Sequence, residues 1–319
     1  MSRATAATFH EQLRTLLDAG MPIARSVELA GEAAGGVHRE RAKTWATGCS
    51  AGLPLAQQMR ASGEDELDVA LIEAGELSGR LGEMCLEIAA QHRHVIALRA
   101  MAIARLVYPA VITHVALVAA AVPSVFMRGG SPWLLLAGPV GLWVLIGGGF
   151  MGAFLLGRDG WARVALVRGV RYLAWPWIAA NACLALRAGL SAGMLAPRAL
   201  ELAADACGNR VIARRLNNAA KAVLSGGLPN VTAALRSVAL PDEVVRLAEV
   251  GEHSGALDRE LSRAAVLMRE SFRLRSDWAA RIACGTIYGV AMLLAALTVI
   301  MLYASYLGMA TDIANQIGE

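Results

Sequence analysis

Between positions 106 and 157 the chain carries one formally charged residue, Arg128, and between 282 and 311 it carries none. Such stretches have few ways to fold. In helix, about 20 apolar residues cross the hydrocarbon core of a bilayer, and a helix pairs its backbone N–H and C=O groups within the segment, as lipid requires. Arg128 sits in Met-Arg-Gly-Gly-Ser-Pro-Trp, a turn by composition. The sequence predicts three membrane-spanning helices at 106–127, 133–157 and 282–307, with 128–132 as a periplasmic turn and 308–319 as a periplasmic tail. Apolar residues make up 56% of the 319, and the mean hydropathy is +0.48, too apolar for an ordinary soluble chain and short of one that is all membrane. The first apolar run begins after about a hundred residues, so it does not read as a cleavable signal peptide.

Arginines set the orientation. Arg93, Arg99 and Arg105 precede the first run, Arg158, Arg163, Arg168 and Arg171 follow the second, and Arg269, Arg273, Arg275 and Arg281 precede the third, against Arg128 alone on the opposite side. The bias places the N-terminus in the cytoplasm and the C-terminus outside. Trp133, Trp161 and Trp278 fall at the expected interfaces.

The charged segments on either side of the first two runs are copies of one another. Gly75-Glu76-x-Ser78-Gly79-x-Leu81 returns as Gly251-Glu252-x-Ser254-Gly255-x-Leu257. Upstream landmarks recur in the same order: Gly20 with Gly193, Gly52 with Gly227, and Gly75 with Gly251, offset by about 173, 175 and 176 positions. An even number of spans between the copies leaves both in one compartment. The expectation is an all-α membrane protein: cytoplasmic repeat 1 over 1–105, cytoplasmic repeat 2 over 158–281, and three transmembrane helices.

Each repeat reads as a small helical bundle. Phe9, Leu13, Leu16 and Leu17 share one face of a helix that Gly20 ends, and Pro22 starts the next. A third helix closes at Gly52, Pro54 opens a short fourth, and a fifth runs from Glu66 into the repeated motif. A long sixth follows from Arg80 with no breaker before Pro109, and the second copy ends likewise. In the motif, Ser78 and Ser254 suit the N-cap of the long helix. Gly75 and Gly251 allow close approach or positive φ, Gly79 and Gly255 flank the turn, and Glu76 and Glu252 place negative charge near a helix N-terminus. The same residues could instead dock a partner. A catalytic reading is weak, since Gly-x-x-Ser-Gly lacks the spacing of a nucleophile elbow and follows a helix.

The duplicated turns, each copy feeding an apolar helix, together with the Tyr108-Pro109 pair at the start of the first run, resemble the F-type platform proteins of type II secretion systems and type IV pilus machines. The resemblance spans residues 5 to 308. It implies a non-enzymatic, homo-oligomeric scaffold of the bacterial inner membrane. Such a scaffold would dock a hexameric assembly ATPase, contact other inner-membrane subunits of the machine, and pass pilins or pseudopilins into a filament.

The residues agree with a chain that hydrolyses nothing itself. Only two lysines occur, Lys43 and Lys221, and neither lies in a Walker motif. Cys49, Cys85, Cys183, Cys207 and Cys284 form no Cys-x-x-Cys pair and read as reduced structural thiols. His92 and His94, two apart on a helix, point in different directions and make a poor metal pair, so no metal or cofactor is expected. His114 falls inside the first apolar run, as a hydrogen-bonded bundle residue or a functional one. The net charge of +4 sits largely at the flanks of the apolar runs, which argues against nucleic acid. A small oligomeric transporter or channel is the alternative class, although the runs lack the carboxylates that ion coupling commonly uses.

Overall fold

A computed structural model describes residues 3–126, 141, 144 and 168–317. The described residues form helices joined by short turns, with no strand among them. The first half comprises α1 (Arg3–Asp18), α2 (Ile23–Ala34), α3 (Gly36–Ser50), α4 (Leu55–Ala61), α5 (Glu66–Ser78) and the long α6 (Leu81–Phe126). The second comprises α7 (Arg168–Ser191), α8 (Ala196–Ala206), α9 (Arg210–Leu224), α10 (Val231–Val238), α11 (Asp242–Ser254) and the long α12 (Leu257–Ile317).

Matching helices have matching lengths, 15 residues in α3 and α9 and 13 in α5 and α11. Their turns match too, because the same left-handed glycines end them: φ is 77° at Gly20 and 78° at Gly193, and 69° at Gly79 and 68° at Gly255. One landmark shifts. The counterpart of Gly52 (φ 82°) is Gly226 (φ 76°), not Gly227. Repeat 2 then uses five residues, Gly226 to Asn230, where repeat 1 uses three, Gly52 to Pro54, to reach its short helix.

The chain divides into two compact units, Met1–Leu98 with Ala165–Arg275, and Arg99–Val164 with Ser276–Glu319. In the first unit both repeats share one core. Phe9 and Leu13 of α1 are fully buried, as the spacing requires, and Leu16 and Leu17 pack partly against the same core. Trp45, Leu67, Leu71, Ile72 and Ile88 join them from repeat 1, and Leu186, Leu200, Leu202, Leu216 and Leu261 from repeat 2. Helix α5 packs against α7 and α8, and polar side chains cross between the repeats. Gln91 donates to Asn181 at 3.4 Å, Arg269 reaches Glu87 and Gln91, and Arg198 donates to Glu73 at 2.7 Å.

In the second unit the rings of Tyr108 and Tyr288 lie 5.9 Å apart, and Val107, Val111, Val115, Leu293, Val299 and Ile300 are more than half exposed. The stretch 128–132 and, apart from 141 and 144, the stretch 133–157 lie outside the described residues. The runs 106–127 and 282–307 fall on α6 and α12, except position 127, and His114 is half-buried on α6. Among the described residues no helix is long and apolar enough to cross a membrane.

Candidate functional site

The repeated motif forms the corner between α5 and α6, and between α11 and α12. Gly79 takes the left-handed cap, and the N–H of Arg80 donates to the Gly75 carbonyl at 3.0 Å, closing the helix with a bond spanning five residues. Ala256 does the same to Gly251 at 2.9 Å. Gly75 and Gly251 serve close approach rather than positive φ: a Cβ on Gly75 would stand 3.0 Å from the Leu81 Cα, and one on Gly251 2.8 Å from the Leu257 Cα.

Ser78 and Ser254 do not cap the long helices. Each ends the preceding helix, and its hydroxyl donates backward, Ser78 to the Ala74 carbonyl at 2.7 Å and Ser254 to the Gly251 carbonyl at 3.4 Å. The physical reason is that the left-handed glycine follows the serine, which leaves the serine in the last turn of the old helix. Glu76 does reach a helix N-terminus, but that of α4. Its carboxylate accepts from the N–H of Leu55 at 2.6 Å and of Ala56 at 3.2 Å, two of the donors that a first turn leaves unpaired. Glu252 accepts from the N–H of Thr232 in α10 at 3.1 Å. Beside these half-buried contacts Leu77 and His253 stay exposed.

A second constellation lies inside repeat 1, where neighbours in sequence gave no sign of it. His10 of α1, His38 of α3, Asp68 of α5 and His92 of α6 are all buried. Asp68 Oδ2 and His92 Nε2 are 2.7 Å apart, and the His10 and His92 rings stack at 6.3 Å. His38 stacks on Phe9 at 5.7 Å. Nδ1 of His10, Nδ1 of His92 and both ring nitrogens of His38 are buried without a hydrogen-bond partner. Burial, then the nearby His92 and His38, push His10 down to about 3, so it is a neutral imidazole at ordinary pH. Burial also lowers His38 and raises the Asp68 carboxyl, the latter opposed by the bond to His92. His92 thus finds its partner 24 positions upstream rather than in His94, which is half-buried. Burial pushes the Cys183 thiol up to about 12 and the half-buried Cys49 up to about 11, in keeping with unreactive thiols.

Each repeated corner lies in a segment of the chain that matches a known family. The family described as type II secretion system (T2SS), protein F, matches residues 9–127 and 182–307, each segment containing one corner. The chain belongs to this family. It is also similar to the type IV pilus assembly protein TapC of Aeromonas hydrophila, with 27% identity over 291 residues, covering 81% of this chain and 70% of the relative. Each matched segment starts in the first helix of a repeat and extends into its long helix, taking in the apolar run at 106–127 or 282–307. The buried histidines and Asp68 all fall within the first matched segment.

Proposed function

We propose that this chain is an inner-membrane platform of a type II secretion or type IV pilus machine. Its repeats would couple a cytoplasmic hexameric ATPase to the insertion of pilins or pseudopilins into a filament. The observation that carries the reading is the twofold family match, in order and covering both repeats. The likeness to a type IV pilus assembly protein supports it. Three membrane helices at 106–127, 133–157 and 282–307, with both repeats in the cytoplasm, belong to the same proposal. They are supported by the charge-free runs, the arginine bias and the exposed apolar side chains along α6 and α12.

Two measurements test it. A cysteine introduced at Ser62 or Ser225 is expected to resist a membrane-impermeant thiol reagent in intact cells; labelling from the periplasmic side would overturn the topology. The purified chain is expected to capture the assembly ATPase encoded with its machine and to leave solutes inside liposomes. Solute flux without ATPase capture would point to a transporter instead.

A further inference from the structure

The two repeats offer an internal comparison at every core position. Aligned by their helix ends and left-handed glycines, His10 corresponds to Cys183, His38 to Ile212, Asp68 to Val244 and His92 to Met268. All four repeat 2 residues are buried, at 1%, 2%, 0% and 4% exposure, in matching helices. The bundle therefore closes with side chains that need no polar partner at these positions. Repeat 1 instead buries a carboxylate and three imidazoles, groups that are costly to remove from water and leave ring nitrogens unpaired. Packing alone gives no reason for the difference.

We propose that His10, Asp68 and His92 form a buried binding site for a zinc-class divalent cation that ties α1, α5 and α6 together in repeat 1. One ligating atom from each of the three lies within 4.8 Å of the others. At metal–ligand distances of about 2.0–2.2 Å, ligand atoms around a tetrahedral ion end up roughly 3.3 Å apart, so shifts of about 1 Å close the set. The donors choose the ion. Two imidazoles and one carboxylate suit zinc or a neighbouring first-row transition ion, whereas calcium and magnesium take shells of oxygen. Three helices distant in sequence supply the ligands, so binding would appear as added stability of the unit whose core the two repeats share.

The experiment uses the full purified chain, stripped with chelator under mild denaturant, refolded and titrated with Co2+ followed by Zn2+. Wild type is expected to bind Co2+ in equimolar amount with visible ligand-field bands, to lose those bands on Zn2+ addition, and to melt higher with metal. The D68V/H92M variant, which carries the apolar side chains found at the same places in repeat 2, is expected to fold. It should lose Co2+ affinity by more than about 100-fold, beyond the loss typical of supporting residues. If D68V/H92M does not fold, D68N is read in the same titration with the same expectation of weakened binding. Substoichiometric Co2+ in wild type would overturn the proposal, as would equal affinity in the variant that folds. Asp68 and His92 would then be an ordinary buried hydrogen-bonded pair.

Discussion

The carboxylate of Glu76 and the backbone N–H of Leu55 lie 2.6 Å apart, so the last turn of α5 closes the first turn of α4. Pro54, the residue at the cap of α4, brings no side-chain acceptor, and Glu76 also takes the N–H of Ala56. In repeat 2 the work is divided: Asn230 accepts from Ala233 at 2.9 Å, and Glu252 accepts from Thr232. Glu76→Ala is therefore expected to cost about 1–2 kcal/mol and Glu252→Ala about 0.5–1 kcal/mol. Glu76→Gln, which keeps an acceptor oxygen, should fall between Glu76→Ala and wild type. Chemical denaturation of each variant checks the order. Unchanged stability with lost ATPase capture would assign the glutamates to docking instead.

Gly251→Ala sets helix propensity against packing. Alanine is favoured over glycine inside a helix by about 1 kcal/mol, yet its Cβ would stand 2.8 Å from the Leu257 Cα, a backbone atom that cannot swing away. The clash should win, with a net loss of about 1–2 kcal/mol. Gly75→Ala, at 3.0 Å from both the Leu81 Cα and the flexible Met84 side chain, should lose less. A gain in melting temperature for Gly251→Ala would contradict the close approach.

Ser78→Ala distinguishes a helix end from a helix start. An N-cap serine would cost about 1 kcal/mol to remove, but a hydroxyl bonded back to the carbonyl four residues earlier contributes little. The expected change is under about 0.5 kcal/mol by thermal or denaturant melting.

Glu73 predicts a pH dependence. Burial acts to raise its carboxyl, but hydrogen bonds and charges from Arg60 and Arg198 outweigh that and hold it below the usual carboxylate range. A depressed folded-state pKa gives stability that is fully present above the unfolded value of about 4.3 and is lost as pH falls through the folded one. With both arginines about half exposed, Glu73→Gln should cost only about 0.5–1 kcal/mol near neutral pH. The difference from wild type should vanish in acid. A difference that stays constant through the acid limb would contradict this.

Local chemistry written along the chain was readable. Gly20 ends its helix where a left-handed residue was expected, and Phe9 and Leu13 point into the core as their spacing demands, whereas in the repeated motif positive φ falls on Gly79 and Gly255 rather than on Gly75 and Gly251. What could not be read depends on contacts between distant segments. Glu76 was expected at the N-terminus of the long helix that follows it, but the N-terminus it meets lies about twenty residues upstream, and only tertiary packing chooses between the two. Gly226 and Gly227 are adjacent glycines, and the one that turns left-handed is Gly226, two residues past the end of α9 as Gly52 is past the end of α3. The His10, Asp68 and His92 cluster joins three helices, so the close spacing of His92 and His94 carries no sign of it. The repeat offset could have exposed the cluster, since it sets each of these residues beside Cys183, Val244 or Met268.

One oxygen of Glu73 meets Arg60 of its own repeat at 2.8 Å, and the other meets Arg198 of the second repeat at 2.7 Å. A carboxylate divided in this way behaves as a balance beam. The two guanidiniums repel each other across it, so a load that lifts α4 and draws Arg60 off relieves that repulsion and modestly strengthens the hold of Arg198. A load that parts the repeats does the reverse and seats α4 more firmly. Glu73 is thus one carboxylate held in common by α4 and by the second repeat.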